Sequence, residues 1–276
     1  MSTTYSNLES LLKSVKASDR EIAASQGYRL DILVNDEDWA VRVAVARQGY
    51  GLEKLIDDED WAVRVAVARQ GYRLDILVND KKWAVRKEVA CQGYGLDKLI
   101  NEKDWSIRRE IARQGYGLEK LVDDESWYVR EEVAKQGYGL DKLVDDESLA
   151  VKREVARQGY GLEKLINDMY VRDAVASQGY RLDILVNDKD WAVRREVARQ
   201  GYGLEKLVND ESLEVRIEVA KHGFGLDILV NDIAWHVREE VAKQGYGLDK
   251  LINDEDIIVR REAQEAQKAK KNLKIS

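Results

Sequence analysis

Catalysis needs nucleophiles, acids, bases or metal ligands at defined spacing, and this sequence offers few residues of that kind. It holds two histidines, His222 and His236, and a single cysteine, Cys91. His222 stands where comparable stretches place a glutamine before a turn glycine, and His236 falls on the arc of a helix expected to face solvent. No serine or cysteine is spaced from either as a nucleophilic triad would require. Acid runs such as Asp57-Asp58-Glu59-Asp60 and Asp123-Asp124-Glu125 hint at calcium. They lack the glycine-containing loop with alternate ligands, and they lie where a helix start favours negative charge. The glycines sit in turns and gather into no phosphate loop. The expectation is therefore no enzyme, no cofactor and no metal.

What would position any functional residue is a repeat. A unit typified by QGYGLEKLIDDEDWAVRVAVAR (Gln48 to Arg69) recurs every 22 residues. Its first glycine falls at Gly27, Gly49, Gly71, Gly93, Gly115, Gly137, Gly159, Gly179, Gly201, Gly223 and Gly245, and only the step from Gly159 to Gly179 is short, by two residues. A period in the twenties predicts a solenoid, each unit burying its apolar face against its neighbours. The predicted fold is all-α, a superhelical array of about eleven two-helix repeats, a long helix followed by a short one. Residues 1–26 read as a degenerate capping copy, 27–266 as the solenoid and 267–276 as a basic C-terminal tail. The 276 residues contain 19 glycines and no proline, so glycines and acidic caps must make every break between helices. Apolar residues at 44% exclude disorder, while a net charge of −7 argues against a general nucleic-acid binder. No apolar run is long enough to span a membrane and no leader is visible, so a cytoplasmic monomer is expected.

Within a unit, Asp36 is the expected N-cap of the long helix, Gly49 its left-handed C-terminal residue and Tyr50 the cover of its last turn. Helical periodicity places Val41, Arg42, Val45 and Ala46 inside, with Trp39 at the edge of that arc. Ala40, Val43, Ala44 and Arg47 are expected outside. All seven tryptophans share one column, which Leu149, Met169, Leu213 and Ile257 also occupy. That exchange reads as packing between repeats, against a rival reading as a stacking stripe. Each arginine of the Arg42 column has an acidic companion in its own unit, which favours structural pairing over phosphate binding.

The segment Asp36-(four residues)-Val41-Arg42 followed by Val45-Ala46 resembles the second helix of HEAT-like repeats. The string DEDWAVRVAVAR is similar to the leucine-rich repeat variant, a bacterial repeat that alternates a long helix with a short one. The resemblance covers residues 27 to about 264. It implies a ladder between neighbouring units, carried here by Asp36, Arg42, Asp58, Arg64, Asp124, Arg130, Asp188 and Arg194. The family's prolines before the short helix and its occasional cysteine cluster are absent, so no redox role follows.

Function then falls to the columns that vary. They place candidate partner contacts at Val43, Val65, Lys87, Arg109, Tyr128, Glu131, Arg153, Tyr170, Arg195 and His236. By analogy with HEAT-like repeats these line a concave face that binds a partner protein. Val43-Ala44 and Val65-Ala66 are expected to leave an apolar patch near the N-terminal end. Two alternatives are a nucleic-acid interface through Arg47, Arg69, Arg113, Lys135 and Arg157, and an acidic decoy of the phage-inhibitor kind directed at a nucleic-acid enzyme.

Overall fold

The computed structural model describes residues 2–273, and those residues form helices and turns without a strand. They fall into two compact units, residues 1–139 and 140–276. The first opens with helices Ser2–Leu12 and Ala17–Ser25 and continues through long helices Trp39–Arg47, Trp61–Arg69, Trp83–Cys91, Trp105–Arg113 and Trp127–Lys135. The second carries Leu149–Arg157, Arg172–Ser177, Trp191–Arg199, Leu213–Lys221, Trp235–Lys243 and a longer final helix, Ile257–Leu273. A four-residue helix such as Leu52–Leu55 separates successive long ones, and within each unit every long helix packs on the next. The architecture is an α-solenoid.

Local chemistry sets the helix ends. Gly49 adopts φ +72°, its N–H donates to the carbonyl of Ala46, and the Tyr50 N–H donates to Val45. Those two bonds close a Schellman turn, which needs a left-handed residue and so favours glycine. At the other end the cap differs from the sequence reading. The helix starts at Trp39, and Asp38 is the N-cap, its carboxylate accepting from the Ala40 N–H at 2.8 Å. Asp36 lies two residues earlier and accepts instead from the Asp38 N–H, shaping the turn that presents the cap.

The buried arc is also wider than periodicity suggested. Val43 is only 7% exposed and Ala44 2%, because each long helix is flanked on both sides by another. The expected apolar patch is therefore closed: Ala66 is buried and Val65 half-buried. Trp39 is half-exposed, at the edge of the core. It occupies the first helical position, where the Cα–Cβ bond tilts toward the N-terminus and carries the ring beyond the packed surface. The core proper is built from Val41, Val45 and Ala46 and their equivalents, with one leucine of each short helix, such as Leu55, Leu77 and Leu99.

A ladder of charged pairs joins the repeats. The Arg42 guanidinium grips the Asp58 carboxylate with two bonds of 2.7 and 2.9 Å and donates to the carbonyls of Asp36 and Glu37. Arg64 does the same with Asp80, Arg108 with Asp124 and Arg194 with Asp210. Arg172 reaches Asp188 at 2.8 Å, and Arg130 donates to the carbonyls of Asp124 and Glu125. The acidic partner thus belongs to the following repeat, while the arginine's own repeat supplies backbone carbonyls. Sequence proximity pointed to a companion in the same unit; there, Asp36 is turned away to accept from Arg20 of the preceding repeat. One rung is a lysine: Lys152 makes a single 3.2 Å contact with Asp168, since an ammonium cannot fork onto a carboxylate.

The ladder fixes the response to acid. Burial opposes the charge on Asp36 and Asp80, but the Arg20 and Arg64 guanidiniums outweigh it and hold both carboxyls below the usual range. Arg238 lowers Asp254 likewise. A carboxyl depressed in the fold contributes stability above its unfolded value, about 4, and loses it as pH falls through the lowered one. The urea midpoint is expected to hold from pH 7 to 5 and to drop steeply below about pH 4. A midpoint constant down to about pH 2.5 contradicts this assignment.

The short repeat differs from the rest. Its two missing residues come from the turn before the long helix, and the first turn of that helix is lost with them. The helix runs only Arg172–Ser177, six residues in place of nine, with Met169 and Tyr170 left in an exposed turn.

Candidate partner-binding face

Five long helices of the first unit begin with tryptophan: Trp39, Trp61, Trp83, Trp105 and Trp127. Their exposure runs from 50% at Trp39 to 37% at Trp127, so a row of half-buried indoles faces solvent, in register, one per repeat. The tyrosines at the other end of the long helices are as exposed, 42% at Tyr50 and 40% at Tyr94, so both ends of these helices present aromatic surface. In the second unit leucine, methionine and isoleucine interrupt the column, leaving Trp191 and Trp235.

The rings already hold partners of defined chemistry. Tyr128 lies between two of them, its ring centroid 4.5 Å from Trp105 and 3.7 Å from Trp127, with interplanar angles of 16° and 27°. His236 stacks on Trp235 at 3.6 Å. Two cations also sit over indole faces: Lys82 Nζ lies 5.5 Å from the Trp61 centroid, and the Arg195 guanidinium 5.4 Å from that of Trp191. Attraction of a cation to the negative face of an aromatic ring explains both placements. Acids border the row. Glu37 and Glu59 precede Trp39 and Trp61 by two residues, and their side chains are 90% exposed although loosely tied to Arg20 and Arg42.

The remaining candidate contacts are less available than their column suggested. Val43 is buried and is withdrawn as a contact. Val65 and Lys87 are half-buried. Arg109 is held by Glu132 at 2.8 Å, Glu131 by Lys135, and Arg153 by Asp173 and the carbonyl of Tyr170. Arg195 pairs with Glu196 as well as covering Trp191. Tyr128, Tyr170 and His236 remain exposed.

The basic column at the other end of the long helices is largely neutralised by its own carboxylates. Arg69 pairs with Glu88, Arg113 with Glu110, Lys135 with Glu132 and Arg157 with Glu154. Burial opposes the charge on Glu132, yet Arg109 and Lys135 hold it below the usual carboxylate range. Arg47 has no carboxylate partner among the described residues, because Ala44 and Ala66 replace the glutamates of later repeats. Cys91 is exposed, but partial desolvation of its sulfur and the nearby Glu110 and Glu88 raise its thiol above the ordinary range, so little reactive thiolate forms. No group of three or more potential metal ligands occurs among the described residues, and no described helix is long and apolar enough to cross a membrane.

A second backbone ladder escaped the sequence reading. The Gln48 side-chain amide donates to the carbonyl of Ser25 at 2.9 Å, Gln136 to Arg113 and Gln200 to Ser177. His222 takes the same place, with Nε2 3.1 Å from the Arg199 carbonyl, which assigns the proton to that nitrogen. The signal was present: that column holds glutamine in every repeat from Gln26 to Gln244 except at His222, a side chain that also donates.

No family model matches the chain, and no curated protein does. Among solved structures it is similar to an engineered protein, at 17% identity over 95% of this chain and 97% of that one, with a TM-score of 0.36. A designed armadillo repeat protein aligns at 16% identity over 95% and 98%, with a TM-score of 0.16. A second engineered protein aligns at 19% identity over 94% and 95%, with a TM-score of 0.12. Superpositions this loose carry no argument, and the fold rests on the helices described above.

Proposed function

We propose that the chain is a non-enzymatic repeat scaffold of HEAT-like type that holds a partner protein against the exposed face of its long helices. The observation that carries this reading is the row of half-exposed tryptophans in residues 1–139. A solvent-facing, regularly spaced aromatic surface is available to a partner, and aromatic side chains dominate the energetics of protein contacts. Nucleic acid is the weaker partner, because the bases that would neutralise phosphates are already paired with glutamates.

Affinity capture from the source cells compares the native chain with the double variant Trp61→Ala/Trp83→Ala. The two rings are half outside the fold, so the variant is expected to keep its helical content while losing most of the captured partner. Undiminished capture by a folded double variant overturns the reading. Capture that is replaced by nucleic acid and abolished by added salt supports the electrostatic alternative instead.

A further inference from the structure

The two halves of the tryptophan row from Trp39 to Trp105 differ in charge. Two residues before each ring stands an exposed side chain, and that column reads Glu37, Glu59, Lys81, Lys103. Two acids are followed by two bases. The long helices behind them pack each on the next, so the four side chains follow in that order along the face. Glu37 and Glu59 are only loosely tied to Arg20 and Arg42, and neither Lys81 nor Lys103 forms an ion pair among the described residues. The adjoining column is committed to the fold: Asp38, Asp60 and Asp104 cap their helices, and Lys82 lies over Trp61. In residues 140–276 the outer column runs Glu147, Lys189, Glu211, Ile233, Glu255, with no such division.

We propose that a second copy of the chain docks on this face, the two rows antiparallel about a two-fold axis between Trp61 and Trp83. The inference rests on the partner-binding reading and names the partner; it replaces the monomer expected from the sequence. In a two-fold contact one patch meets itself, so the patch must be self-complementary. Turned end for end about that axis, Glu59 faces Lys81 of the other copy and Glu37 faces Lys103. Symmetry repeats each pairing, and Trp61 falls opposite Trp83, Trp39 opposite Trp105. The charges also select the register. An axis through Trp61 sets Glu59 against Glu59, and one through Trp83 sets Lys81 against Lys81. Parallel rows set every one of the four charges on its like. Juxtaposed like charges are costly and suppress such alternatives. The rings supply the apolar contact, while the charged column supplies direction and register.

The test is sedimentation of the full chain at moderate salt, from about 1 to about 100 μM, where a specific interface of ordinary size associates. A monomer–dimer equilibrium is expected. Two charge reversals are then compared, Glu37→Lys/Glu59→Lys and Lys81→Glu/Lys103→Glu. Each introduces a residue that the same column carries in another repeat, so helical content and urea midpoint are expected to stay native. Either variant alone sets like charges together and is expected to weaken dimerisation at least tenfold. Mixing the two restores every opposite pair, and the mixture is expected to associate within about threefold of the native chain. A native chain that stays monomeric throughout, a dimer indifferent to both reversals, or a mixture that does not recover overturns the assignment. If any of those results coincides with loss of the captured partner in Trp61→Ala/Trp83→Ala, the face binds and only the identity of its occupant is wrong. If capture also survives that variant, the partner-binding reading fails with it.

Discussion

Replacing Arg108 by alanine is expected to cost about 3–5 kcal/mol of unfolding free energy, the range for breaking a buried ion pair from one side. The guanidinium makes bonds of 2.6 and 2.9 Å to Asp124 and donates to the carbonyls of Glu102 and Lys103. Both charged side chains are more than nine-tenths buried, at 9% and 6% exposed. Removing the arginine strands a carboxylate with a single remaining donor, the Ser126 N–H, and leaves two carbonyls of the turn without that bond. Repeats stabilise one another chiefly through nearest neighbours, so the damage should centre on the two repeats that Arg108 joins. Amide exchange should accelerate most between about residues 99 and 135, and the urea midpoint should fall. Lys87→Ala, in a half-buried position outside the ladder, is the comparison and should stay within about 0.5 kcal/mol of the native chain. Equal effects from the two substitutions would remove the ladder from the account.

Leu99→Ala is the second large effect, expected at about 2–5 kcal/mol from lost burial and the cavity left behind. Leu99 is 2% exposed and ends the four-residue helix Leu96–Leu99. A helix that short has no stability of its own, so its order depends on what it packs against. The substitution should therefore abolish exchange protection of the Leu99 and Ile100 amides. The same change at the exposed Lys98 should do almost nothing. A Leu99→Ala protein with native protection in that helix would show that the short helices are held by their turns and not by the core.

These two predictions rest on features of different legibility. The 22-residue period, the left-handed glycines and the leucine of the short helix could be read from the sequence, because backbone conformation and burial restrict residue type directly. The resemblance to HEAT-like repeats implied that Arg42 and Asp58 belong to a ladder between neighbouring units, but which acid each arginine takes depends on how neighbouring helices approach, and spacing within a unit pointed to the wrong one. Asp36 was credited with the cap that Asp38 provides; two acids two residues apart satisfy the same sequence signal, and only the turn geometry separates them. Val43 is buried against expectation for a reason of the same kind. A helical wheel describes one helix against one surface, whereas these helices are packed on two flanks and open at their first residue. Substitution of tryptophan by leucine or isoleucine looked like core exchange, yet it reflects an exposed column that keeps its aromatic character chiefly in the first 139 residues.

The central claim is that the exposed tryptophan face of the long helices receives the partner. Hydroxyl-radical footprinting of the chain, free and in the captured complex, tests it side chain by side chain. Oxidation of Trp39, Trp61 and Trp83 is expected to fall severalfold on complex formation, while Tyr50, Tyr94 and Tyr116, at the opposite ends of the long helices, react as before. Protection of those tyrosines with the tryptophans left reactive would contradict the account.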